Sequence, residues 1–172
     1  MNELAAHSTN AEVMVRKIFV VLALMFSATA WAGDLEDAVD AYYKQDYSKA
    51  LVHFKIAAAQ GLADAQLKLA HMYNNGQGVP QDYVEAARLY KLAAAQGHIG
   101  AQLNLGFMYE VGEGVAQNFI QAHAWYNLAA AQGLDLAFKL RNDIAKKMTP
   151  QQIAEAQKLA RECLARNYKN CD

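Results

Sequence analysis

The pentapeptide Ala-Ala-Ala-Gln-Gly occurs three times, at Ala57–Gly61, Ala93–Gly97 and Ala129–Gly133, and successive copies stand 36 residues apart. A fixed period of this length belongs to chains that stack one supersecondary unit on the next, not to chains built around one central core. Residues Leu62–Gly97 and His98–Gly133 agree at 18 of 36 positions, so the period covers whole units. Each pentapeptide reads as the end of a helix. Alanine has the best helix propensity and a side chain small enough for close helix approach. The glycine after it suits the left-handed position just past a helix, where a β-carbon is strained. Gly61, Gly97 and Gly133 are therefore expected to end one helix and turn the chain into the next unit.

From Asp34 the chain reads as paired helices, A then B. Leu35, Ala38, Val39 and Tyr42 share one helical face, with Asp34 placed to cap it. A tight turn near Lys44-Gln45 leads to a B helix over Asp46–Gln60, and this first pair, residues 34–61, lacks the longer loop of its successors. The second pair, 62–97, has an A helix over about Ala63–Tyr73 with Ala65, Leu69, Met72 and Tyr73 facing inward. Asn74–Pro80 connects it to a B helix whose stripe is Tyr83, Ala86, Tyr90 and Ala93. The third pair, 98–133, repeats the pattern with Ala101, Leu105, Gly106, Met108 and Tyr109, the loop Gly112–Val115, then Phe119, Ala122, Trp125 and Tyr126. Asp46, Asp82 and Asn118 stand in register as helix N-caps, and Glu85 three residues after Asp82 predicts a capping box. After Gly133 the period stops. Leu136, Leu140 and Ile144 mark one further helix. Thr149-Pro150-Gln151-Gln152 then opens a last one, striped by Ile153, Ala156, Leu159, Ala160, Cys163 and Leu164. Residues 134–172 are expected to form a C-terminal helical cap. The fold class is all-α, an α/α superhelical solenoid.

The run Ala65-x-x-x-Leu69-Ala70-x-x-Tyr73-x-x-Gly76-x-Gly78-Val79-x-x-Asp82-x-x-x-Ala86-x-x-x-Tyr90-x-x-Ala93-Ala94-x-Gln96-Gly97 resembles the sel-1-like repeat, a relative of the tetratricopeptide repeat. His98–Gly133 fits as well, with Asn118 in place of Asp, while Asp46–Gly61 matches only the second half of the motif. The resemblance implies a superhelical scaffold that binds another protein or peptide, with the A helices on its concave side. For exported bacterial members it implies adaptor-like roles in the envelope or in host contact.

The N-terminus reads as a leader. Arg16 and Lys17 precede the apolar run Ile18–Phe26, and Ala30-Trp31-Ala32 supplies the small-x-small pattern of a cleavage site. The run is well short of the roughly 20 residues that span a bilayer, so no stable membrane anchor is expected. Residues 1–13 have no such character, and translation is expected to start at Met14. Residues 14–32 are then a signal peptide, the mature chain begins at Gly33, and the destination is the periplasm or the exterior of a bacterium.

That compartment bears on the two cysteines. An even count in a small exported chain suggests a bridge, the alternative being two free thiols. Cys163 and Cys171 would lie about 12 Å apart on one helix, too far to bond, so the bridge requires the last helix to end between them, near Asn167. The same gap separates bridged cysteines across repeat junctions in cysteine-rich relatives, although the equivalent junction positions here are Ala94 and Gln102.

Candidate chemistry is sparse. His53, His71, His98 and His123 show no metal-ligand spacing, so no metal or other cofactor is expected. Ser48 has Lys49 beside it but Leu51 three residues on, where a serine β-lactamase carries lysine. The alternative of a cell-wall-type amide hydrolase, a label attached to cysteine-rich relatives, thus lacks its nucleophile motif, and a non-enzymatic chain is expected. The pairs Gly76-x-Gly78 and Gly112-x-Gly114 join helix to helix with no Gly-Lys-Ser/Thr after them and read as turns, not phosphate cradles. A net charge of −1 argues against a nucleic-acid partner. The charge is uneven, however. Gly33–Phe138 holds 6 basic and 11 acidic residues, and Lys139–Asp172 holds 8 basic and 4 acidic. The basic end is either a solvated cap face or a means of docking Lys146, Lys147, Lys158 and Arg161 on an anionic envelope surface.

The expected partner site follows from the A helices. With Ala65, Leu69 and Tyr73, and likewise Ala101, Leu105 and Tyr109, committed to packing, Lys68 with His71 and Asn104 with Phe107 occupy another face at i, i+3 spacing. These four are expected to form a strip. Phe107 is its sharpest member, because the preceding repeat has His at that position.

Overall fold

A computed structural model describes residues 35–169 and Cys171. Its described residues form eight helices and no strand. They are α1 over residues 35–43, then α2 Tyr47–Ala59, α3 Ala63–Asn75, α4 Tyr83–Ala94, α5 Ile99–Val111, α6 Phe119–Ala131, α7 Asp135–Ala145 and α8 Pro150–Ala165. Asp34 as a cap, the leader over 14–32 and the mature start at Gly33 lie outside the described residues.

The helix starts use the chemistry that the in-register Asx residues supply. The Asp46 carboxylate accepts from Lys49 N at 3.1 Å, Asp82 accepts from Val84 N and Glu85 N at 3.0 Å, and Asn118 accepts from Ile120 N at 3.0 Å and Gln121 N at 3.1 Å. Each such cap contributes roughly 1 kcal/mol. The capping box expected at Asp82 is not formed. The Asp82 N–H donates to Tyr73 O at 2.9 Å, and the Glu85 carboxylate turns to Arg88 instead. The chain coming out of the loop thus satisfies the group that the box would have used. The box is complete at Thr149, where Thr149 N donates to Gln152 Oε1 at 2.8 Å and Gln152 N donates to Thr149 Oγ1 at 3.2 Å.

Gly61, Gly97 and Gly133 have φ of 88°, 82° and 91°, and each turns a B helix into the next unit. A second class of glycine fixes the loops. A β-carbon on Gly78 would stand 2.7 Å from the carbonyl oxygen of Tyr47, and one on Gly114 would overlap the carbonyl of Tyr83. Each loop therefore lies against the first turn of the preceding B helix, an approach only glycine permits.

Within a unit α3 packs on α4 and α5 on α6; between units α2 meets α3, α4 meets α5 and α6 meets α7. The buried residues form one continuous core through the stack, with Phe54, Met72, Leu105 and Ile144 fully buried. Side chains of this size contribute about 1.5–3 kcal/mol each on burial. In the cap, α8 packs on α6 instead of pairing with α7 as a regular B helix pairs with its A helix. Two expected stripe residues are exposed as a result, Leu136 and Leu164. α7 turns Ala137 and Ile144 inward, and α8 turns Ala156, Ala160 and Cys163. Cys163 and Cys171 form a disulfide with Cα atoms 5.0 Å apart. α8 ends at Ala165, and Asn167 and Tyr168 take φ of 52° and 63° to fold the tail back.

Candidate functional site

The A-helix face carries the four residues marked out by the sequence. Lys68 on α3 is half-buried with its ammonium 5.6 Å from the centre of the Tyr42 ring. One turn on, the His71 ring meets Tyr90 edge to face at 5.6 Å. Burial lowers the His71 pKa, reinforced by the charges of Lys68 and His98, so the imidazole is neutral at pH 7. Asn104 on α5 donates to Gly100 O at 2.7 Å, and its Nδ2 lies 3.5 Å from His71 Nε2. His71 and Asn104 thus meet across the repeat boundary. Phe107, one turn beyond Asn104, is 48% exposed. The face offers a neutral polar pair flanked by a cation and an aromatic ring.

Two other histidines, His98 and His123, have structural places. His98 caps α5, its Nδ1 accepting from Ala101 N at 3.3 Å while Nε2 lies 3.0 Å from Asp64 Oδ1, which fits the tautomer protonated at Nε2. His123 is buried on α6, and burial, with Arg141 nearby, holds its pKa low. Among the described residues no three of His, Cys, Asp or Glu converge as a metal site. Ser48 lies exposed on the first turn of α2. In the basic cap Lys146 pairs with Asp143 at 2.6 Å, Lys147 with Glu110 at 3.2 Å and Lys158 with Glu162 at 3.8 Å. No described helix is long and apolar enough to cross a membrane.

Sequence reasoning missed a ladder of glutamines. Gln66 and Gln102 are 4% and 0% exposed. Gln66 donates to Ala58 O at 3.3 Å and accepts from Gln96 at 2.8 Å; Gln102 donates to Ala94 O at 3.4 Å and accepts from Gln132 at 2.8 Å. The signal was present as Gln in both copies of Ala-Gln-Leu and in the pentapeptide itself. The ladder fixes the register of one unit on the next.

The chain matches the Sel1 repeat family over residues 40–62, 63–98 and 99–134. Among solved structures it is similar to a protective antigen present in uropathogenic Escherichia coli strains that displays an SLR fold, at 29% identity and a TM-score of 0.76 over 82% of this chain and 31% of the antigen. It is also similar to a Sel1 repeat protein from Oxalobacter formigenes, at 33% identity and a TM-score of 0.60 over 62% of this chain and 44% of that one. The chain thus spans less than half the length of either. No curated protein is significantly similar to it. Sel1 repeat proteins are in general protein-interaction scaffolds and typically not enzymes. With three repeats matched and neighbours of the same fold, the chain belongs to the Sel1 repeat family.

Proposed function

We propose that the chain is an exported interaction scaffold that binds a protein or peptide on its A-helix face through Lys68, His71, Asn104 and Phe107. One observation carries this reading. Phe107 is a large apolar side chain held 48% exposed, next to a half-buried polar pair that joins two repeats. Aromatic side chains in such settings are frequent binding hot spots, with losses of about 2 kcal/mol or more on truncation. Export accords with the disulfide, which needs an oxidising compartment. In this reading residues 14–32 are removed and Gly33 becomes the N-terminus, which intact-mass measurement on protein from the native host checks.

Affinity capture from the envelope fraction with mass spectrometry tests the binding face. The variant combining His71→Ala and Phe107→Ala should retain its thermal midpoint within about 1 kcal/mol equivalent and lose the captured partner. A large fall in stability with capture intact would show these residues to be packing and refute the reading.

A further inference from the structure

The three B helices carry an outward face in register, and among the described residues only the face of α6 is covered by another helix. On α6 that face is Ile120, Ala124 and Leu128, and the last two are each 3% exposed. α8 packs on this helix, with Glu155, Lys158, Leu159 and Glu162 beside Ile120. On α4 the equivalent residues are Val84, Arg88 and Leu92, with Val84 67% and Leu92 43% exposed; on α2, Val52 and Ile56 are exposed too. No described helix takes on α4 the place that α8 takes on α6.

The same contrast holds beneath the surface. Between α2 and α4, floored by α3, lies a cleft of about 430 Å³ bordered by Lys55, Gly61, Gln66, Arg88, Leu89 and Leu92. One repeat later the larger Trp125 stands in place of Leu89, both of them buried, and Gly97 in place of Gly61. A β-carbon on Gly97 would lie 2.9 Å from Cε2 of Tyr168, so the tail after α8 sets its ring directly on this glycine. The corresponding point over Gly61 has nothing within 4 Å. Tyr168 reaches its place with φ of 63°, a strained conformation for a tyrosine, held by its N–H to Cys163 O at 2.9 Å and by the disulfide. The fold thus expends strain to put an aromatic ring where the first cleft is open.

Charge narrows the occupant further. Arg88 is bound by both oxygens of Glu85, whereas Lys55, 5.9 Å from the Tyr73 ring, has no carboxylate partner among the described residues. The rim is left with one uncompensated positive charge.

We propose that the outer face of α4 and the α2–α4 cleft form a second docking site. Its occupant is an amphipathic helix of a partner protein with small residues along its stripe, a carboxylate for Lys55 and an aromatic side chain just past its C-terminus, as α8 and Tyr168 are arranged on α6. The site lies apart from the A-helix strip and does not depend on it.

The probe is a synthetic peptide of residues 149–172 with its disulfide closed, added to the full chain, whose own α8 already occupies α6. Saturable binding by isothermal calorimetry is expected, weakened at least about tenfold by Leu92→Glu and by Tyr168→Ala in the peptide, and unchanged by Phe107→Ala. Leu92 is exposed, so circular dichroism should show Leu92→Glu folded. Val84→Glu on the same face is a second variant expected to act alike. No binding at about millimolar peptide would overturn the proposal. Binding insensitive to both variants would mean displacement of the chain's own α8 and would also overturn it. So would concentration-dependent dimerisation of the full chain, seen by ultracentrifugation and abolished by Leu92→Glu, which would assign the face to a second copy.

Discussion

The repeat array and its C-terminal cap are held by different means. Between α2 and α7 each joint uses the same few contacts at intervals of one repeat: an Asx cap, a loop glycine on the preceding B helix, and a buried glutamine bridging to the next pentapeptide. The cap uses devices that occur once, namely the Thr149–Gln152 box, the disulfide and the Tyr168 ring on Gly97. A repeated joint needs only a neighbour like itself. No repeat follows the third among the described residues, and there α8 leaves the repeat pattern, covers α6 and fastens its own end. The difference teaches that the array is specified by periodic contacts and its termination by local covalent and capping chemistry.

The largest effect should come from breaking a repeated joint. Gly114→Ala combines a φ of 69° with overlap of the Tyr83 carbonyl, and should cost more than about 3 kcal/mol in chemical denaturation. Gly61→Ala, with a similar φ but open space around it, should cost only about 1–2 kcal/mol. Equal losses would show that the close approach of the loop does not matter.

Opening the cap should do less. Replacing Cys163 and Cys171 together by Ala should cost about 2–3 kcal/mol. Hydrogen exchange should rise in α8 and its tail while α3 to α6 keep their protection. A uniform loss along the stack would mean that cap and array form one cooperative unit.

The smallest effect separates the second repeat from the third. His123 on α6 stands where α4 has Ala87, and burial lowers its pKa, as it does for His71. A histidine whose folded pKa is below the ordinary 6.5 binds fewer protons folded than unfolded. Stability is therefore full above about 6.5 and falls as the pH drops from there toward the folded pKa. The thermal midpoint should decline on going from neutral pH to mildly acidic pH, and His123→Leu should flatten that decline. An unchanged slope in the variant would remove His123 as its source.

Much of this division was legible in the sequence. The 36-residue period, the three Asx caps and the glycines after the pentapeptides were readable because each is set by backbone chemistry within a few residues. Leu136 and Leu164 were misread because the helical pattern in α7 and α8 permits more than one inward face, and the neighbour that decides is α6, not the adjacent helix. The Asp82–Glu85 box failed because the Tyr73 carbonyl, nine residues upstream, takes the N–H that the box requires. The glutamine ladder was hidden because Gln reads as a surface residue, both in the first turn of an A helix and in the pentapeptide at a B-helix end. The positions of Lys68, His71, Asn104 and Phe107 followed from helical spacing. The α2–α4 cleft could not be found that way, since it exists because no described helix covers α4 as α8 covers α6.

The contact of Tyr168 with Gly97 has a mechanical meaning. It ties the end of the chain to the junction of α4 and α5, across the whole of the third repeat. A stack pulled from its two ends would ordinarily shed either terminal unit first. Here α7 and α8 are looped back and latched behind the unit they follow, so peeling from that end must lift the tyrosine before any helix separates. The pair α1 and α2 has no such latch among the described residues. Under tension the stack should therefore unzip from its N-terminal side, giving a symmetric-looking array a preferred direction of failure.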